Sequence, residues 1–208
     1  MIKEAEAQII PTMERLMTIQ APEQITINKE NSVSYPASAK FFHWAIALII
    51  LLNLITGVIL VNFYSLSKQL NLFIIHEQCG VTVLMLAILR LIWRLTHKYP
   101  SLDGLIAKHE ILLAKFGHLL LYALMFAIPI CGILLSQSAG KHPGLLWFQL
   151  PTLIERDLDL REQLFNLHKY LAILITTIVA GHVIAALKHH FIDKNQILTH
   201  MLPWSKNK

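Results

Sequence analysis

Hydrophobic positions in this chain are gathered into four long runs, residues 41–63, 72–95, 112–135 and 164–187, separated by polar stretches rich in charge, proline and glycine. At 1.5 Å of rise per residue, each run is long enough as a helix to cross the ~30 Å hydrocarbon layer of a bilayer. The pattern predicts an all-α integral membrane protein, a four-helix bundle of up-down topology. Residues 1–35 stand apart from it, with Pro11 and Pro22 interrupting short apolar pieces. They read as a tail outside the membrane, either loosely ordered or carrying a short amphipathic helix around Ile9 to Met17. Within the third run, Pro129 and Gly132 are expected to bend the far half. The connection 136–163 is the longest, and its GLLWFQL stretch suits the membrane interface.

Composition agrees with the pattern. The 208 residues are 55% hydrophobic and 15% charged, and the mean hydropathy is +0.53, which is too apolar for an ordinary soluble domain. A net charge of +5 does not point to nucleic acid, because the basic residues sit between apolar runs and form no stripe. They read as topology signals instead. Lys29, Lys40, Arg90, Arg94, Lys98, Lys108, Lys115, Lys188, Lys194, Lys206 and Lys208 fall on one side, against Lys68, Lys141, Arg156, Arg161 and Lys169 on the other. The positive-inside rule then puts both termini in the cytoplasm. Cys79 and Cys131 lie inside apolar runs and no C-x-x-C-H occurs, so buried thiols are expected and covalent haem attachment is not. The N-terminus lacks the pattern of a secretory signal.

The candidate chemistry lies in the histidines. His168 and His182 are separated by about 21 Å along a helix axis but only about 40° around it, so they share a face. In an up-down bundle, His43 at the start of the first run reaches the level of His182, and His76 at the start of the second reaches the level of His168. Two pairs of imidazoles, each from two helices and each at its own depth, suit two six-coordinate haems stacked across a membrane. Zinc would gather its ligands round one small ion, and a proton relay would use mid-span carboxylates, a position only Glu77 approaches. Glycines beside these residues, Gly57 and Gly80 among them, would let a helix or a flat group come close. His118 stays open between a bond to a cofactor carboxylate or a quinone, with Tyr122 nearby, and simple pairing with a neighbouring helix. Arg90, Arg94, Lys98, Lys188 and His189 are candidates for neutralising propionates, although topology alone accounts for most of them. On the outer side, Lys141, Arg156, Arg161 and Lys169 could steer an anion.

The runs KFFHW at 40–44, HEQCG at 76–80 and GHLLLYAL at 117–124, the pair His168 and His182, and the closing stretch 187–203 beginning LKHHF together resemble bacterial cytochrome b561. The resemblance covers about residues 35–204. It implies a di-haem b protein of the bacterial inner membrane, with residues 36–204 as the haem domain and His43, His76, His168 and His182 as the four axial ligands. Some members oxidise superoxide at the outer face and pass the electron to ubiquinone, which implies quinone as a partner and an oxidoreductase activity. Two other classes stay in view. One is a cytochrome b subunit relaying electrons for a partner dehydrogenase or hydrogenase, and the other is a haem-free proton or metal transporter.

Overall fold

The computed structural model describes residues 35–97 and 106–204. The stretch from Ile9 to Met17 and Lys98 lie outside the described residues. Four helices are long and apolar enough to cross a membrane: α1 (Ala37–Asn62), α3 (Leu72–Thr96), α4 (Lys108–Ser138) and α5 (Leu158–Phe191). Two short helices join them, α2 (Tyr64–Gln69) after α1 and α6 (Ile197–Met201) after α5. Strands β1 (Gly144–Leu145) and β2 (Phe148–Gln149) pair antiparallel between α4 and α5.

The bundle is built from two antiparallel helix hairpins. α1 packs along α3 and α4 packs along α5, while a third interface between α3 and α4 joins the two pairs. Ile46, Val83, Ala87 and Met125 meet in a buried cluster contributed by α1, α3 and α4. α1 and α5 form no comparable helix interface. Only Leu164 and Ile175 of α5 are buried, and large apolar side chains such as Leu51, Ile92, Leu113 and Ile184 stay exposed along the helices. These surfaces match the hydrocarbon that a spanning helix meets.

Two helices extend past the apolar runs that signal them. α4 begins at Lys108, where the Glu110 side chain accepts from the Ala107 amide at 3.3 Å. α5 begins inside the charged stretch before residue 164, because Asp157 caps it: its Oδ1 accepts from the amides of Asp159 and Leu160 at 3.0 Å each. Such a cap satisfies amide groups that the first helical turn leaves without partners. Asp159, Arg161 and Glu162 therefore belong to helix and not to a connecting loop. Pro129 is buried inside α4, which runs on continuously to Ser138.

The connection from α4 to α5 is shorter than the polar sequence suggests, and it is ordered. Its GLLWFQL stretch forms the hairpin, with Leu146 in the left-handed region at φ 55°. Trp147 is 90% exposed at its tip. Gln137, buried at the end of α4, holds the return strand: its Nε2 donates to the Pro151 carbonyl at 2.8 Å, and its Oε1 accepts from Leu153 N–H at 2.9 Å. Removing a buried amide that satisfies backbone groups costs about 1–3 kcal/mol. Gln137→Ala should loosen residues 141–157 while the four long helices persist. Limited proteolysis should then cut this connection faster than in the parent protein, with helical circular dichroism unchanged.

Candidate functional site

The histidines meet at two levels. Toward one end, the rings of His76 on α3 and His168 on α5 have centroids 6.1 Å apart and planes at 72°. Toward the other, His43 on α1 and His182 on α5 lie 6.2 Å apart at 53°. Both pairs reach between the hairpins, His43 and His182 from α1 to α5 and His76 and His168 from α3 to α5.

Around His76 and His168 the helices leave a cavity of about 1560 Å³. This exceeds the ~300–1,000 Å³ of common small-ligand pockets. Gly57, Gly80 and Gly132 line it together with Glu77, Lys141, Arg161 and Lys169. Two of these glycines are seats for the imidazoles. A Cβ on Gly57 would meet His76 Cε1 at 3.3 Å, and one on Gly132 would meet His168 Cε1 at 3.2 Å. Asn53 grips the turn of α3 that carries His76, its amide donating to the His76 carbonyl and accepting from Gly80 N–H at 3.0 Å each. On the other hairpin, the Cys131 thiol donates to the Leu164 carbonyl at 3.5 Å, one turn before His168. Glu77 Oε2 accepts from Ser136 Oγ at 2.8 Å. Lys141 Nζ sits 3.4 Å from the centre of the Phe73 ring.

The opposite level is more crowded. His118 joins it, its ring 5.6 Å from that of His182, so the histidine that the sequence leaves open lies within this cluster. Arg90 places its guanidinium nitrogens 3.4 and 3.5 Å from His43 Nδ1. The guanidinium carbons of Arg90 and Arg94 stand 5.7 and 5.4 Å from the centre of the Tyr122 ring. The Tyr122 hydroxyl is buried without a hydrogen-bond partner. Lys188 and His189 are engaged elsewhere: Lys188 Nζ bridges Glu110 at 2.6 Å and Asp193 at 2.8 Å, and His189 Nδ1 lies 2.7 Å from Asp193. Trp44, beside His43, donates its indole N–H to the Met201 carbonyl at 2.9 Å and so fastens α6 beneath α1. Cys131 is buried as expected, but Cys79 is only half-buried, and both thiols are free. Neither joins a histidine cluster.

Comparison with known proteins matches residues 34–204 to the family model described as prokaryotic cytochrome b561. The chain belongs to this family. Cytochrome b561 homolog 2 of Escherichia coli (strain K12) is 31% identical over 175 residues, which are 81% of this chain and 90% of that protein. A protein of Yersinia pestis named probable superoxide oxidase CybB is 28% identical over 161 residues, 77% and 91% of the two chains. Cytochrome b561 homolog 1 of Escherichia coli is 29% identical over 131 residues, 63% and 74%. This prokaryotic cytochrome b561 is thus a membrane electron-transfer protein that uses b-type haem.

The residues present fit such a group. A metal held by one nitrogen of each of two imidazoles, at about 2 Å per bond, would separate the ring centroids by about 6 Å, and both pairs stand at that spacing. His168 Nδ1 is buried and makes no well-formed hydrogen bond, with the Ile128 backbone carbonyl beside the ring. Hydropathy alone passes over the roles of Asn53 and Cys131, which hold the histidine-bearing turns. A signal was present for one of them: Asn53, Thr56 and Gly57 recur at helical spacing in an otherwise apolar run.

The clasp beside the level of His43 and His182 responds to acid. Hydrogen bonds from Lys188 and then His189 hold the Asp193 carboxyl below its ordinary value of 3.8. A lowered folded pKa means that the contribution is complete above about pH 3.8 and is lost as pH falls through the lowered value. Hydrogen exchange of residues 192–201 should therefore be slow at about pH 5 and rise only below about pH 3.8, whereas Asp193→Asn should exchange fast at both.

Proposed function

We propose that residues 36–204 hold two b haems, one between His43 and His182 and one between His76 and His168, in the inner membrane with both termini cytoplasmic. On this reading residues 1–35 are a cytoplasmic tail. The observation that carries it is the two imidazole pairs, at 6.2 and 6.1 Å, one toward each end of the bundle. Haem iron held by two imidazoles supplies a one-electron couple with no open coordination position. The chain's task is then to hold, insulate and tune.

The inner histidines need a particular proton placement. A ring that presents Nε2 to a metal carries its proton on Nδ1, so Arg90 would turn away from His43 Nδ1. That frees a guanidinium, beside Arg94, for an anionic group such as a propionate. Lys188 and His189 are less suited to that role, since Glu110 and Asp193 already occupy them. The buried Tyr122 hydroxyl has a hydrogen to donate, and with His118 it suits a quinone carbonyl on this side.

On the outer side, Lys141, Arg161 and Lys169 at the cavity lining favour an anionic one-electron donor. Superoxide is such a donor, in keeping with the name of the relative from Yersinia pestis. The reaction is then oxidation of superoxide outside with delivery of electrons to ubiquinone.

The purified protein in detergent should show a b-type reduced-minus-oxidised spectrum with two extractable haems per chain. Alanine at His43 or His182 should remove one haem, and alanine at His76 or His168 the other; a colourless protein from haem-replete cells would overturn the reading. Replacing Lys141, Arg161 and Lys169 by glutamine should slow reduction by superoxide by roughly tenfold at low ionic strength and less at high salt. Stopped-flow absorbance measures this.

A further inference from the structure

The two imidazoles of the outer pair rest on similar steric seats, yet their Nδ1 atoms meet different polar surroundings. Each ring has a glycine of the neighbouring helix against its Cε1 edge, Gly57 for His76 and Gly132 for His168. Beside Gly57 stands Thr56, only 3% exposed, whose Oγ1 lies 3.1 Å from His76 Nδ1. The same oxygen is 3.0 Å from the Leu52 carbonyl and 3.1 Å from the Asn53 carbonyl. A hydroxyl has one hydrogen and two lone pairs, and carbonyl oxygens only accept. The Thr56 hydrogen goes back to its own helix, as threonine in a helix commonly arranges, so a lone pair faces His76. Nδ1 of His76 is then the donor, and Nε2 carries the free lone pair. His168 has no hydroxyl beside it; the polar group it meets is the Ile128 backbone carbonyl.

We propose that Thr56 is a positioning residue that fixes the tautomer and orientation of His76 and lowers the redox potential of the outer haem through that hydrogen bond. The proposal rests on the reading of His76 as an axial ligand. A ligating imidazole that donates its other N–H to an acceptor is a more basic ligand. Greater basicity favours the more positively charged, oxidised iron. The effect is local, because Thr56 touches only the outer level.

The test uses the full-length haem-loaded protein carrying Thr56→Val, which keeps shape and removes the hydroxyl, and Thr56→Ser, which keeps the hydroxyl. Redox titration followed in the visible spectrum is combined with a count of haem per chain. Thr56→Val should move one of the two components to higher potential and leave the other in place, and Thr56→Ser should leave both. An unmoved pair in Thr56→Val, or an equal shift in Thr56→Ser, overturns the proposal. Should Thr56→Val lose the outer haem, retention in Thr56→Ser supports the hydroxyl's role and loss in both overturns it. His76→Ala, run in parallel, separates the two claims: two haems retained there would sink the ligand reading itself, whatever the Thr56 variants do.

Discussion

α1 and α5 do not pack on each other, and much of this architecture follows from the space left between them. The two helix hairpins lean together chiefly through α3 and α4, and on the side where α1 faces α5 the imidazoles of His43 and His182 meet in place of interlocking aliphatic side chains. A membrane gives helices little hydrophobic reason to associate, since lipid tails are as apolar as leucine. An open side in such a bundle is stable only if something else fills it. The proposed haems would supply apolar area there, and the large cavity around His76 and His168 is the form this need takes in the protein.

The two ends of the bundle solve different physical problems. At the end of His43 and His182, arginines, tyrosine and three histidines crowd together, and an acidic clasp made by Glu110 and Asp193 takes up Lys188 and His189. Arg90 and Arg94 stand near the histidines as guanidinium groups, which stay charged at any ordinary pH and bind oxyanions in two-pronged fashion. At the end of His76 and His168, polar groups are matched to neighbours: Glu77 with Ser136, Lys141 with the Phe73 ring, Gln137 with the Pro151 carbonyl. The cavity between them is walled by rigid elements, which suits a site that must hold its geometry while charge passes.

The helices were legible because hydrocarbon imposes a length and an apolar content that few other settings demand. Their ends were not, since the first turns of α4 and α5 are charged and are fixed by single capping groups, Glu110 and Asp157, that a hydropathy profile reads as loop. The meeting of His43 with His182, and of His76 with His168, follows from counting positions along antiparallel helices. What counting misses is lateral detail. Whether Arg90 faces His43, whether His118 turns toward His182, and which glycine backs which ring depend on rotation about helix axes, and an apolar run without a strong polar stripe leaves that rotation unmarked. Cys79 shows the same limit, its place in an apolar run having implied more burial than it has.

The bond from the Trp44 indole to the Met201 carbonyl joins positions 157 residues apart. Few contacts in a bundle of adjacent hairpins reach so far along the chain, and closing so large a loop is entropically slow. In a ribosome-bound chain inserting helix by helix, the residue next to His43 waits for nearly all the rest before this contact can form. The end of the bundle that carries His43 is thus sealed late, which leaves a route by which a bulky planar group could still enter after the four helices have crossed the bilayer.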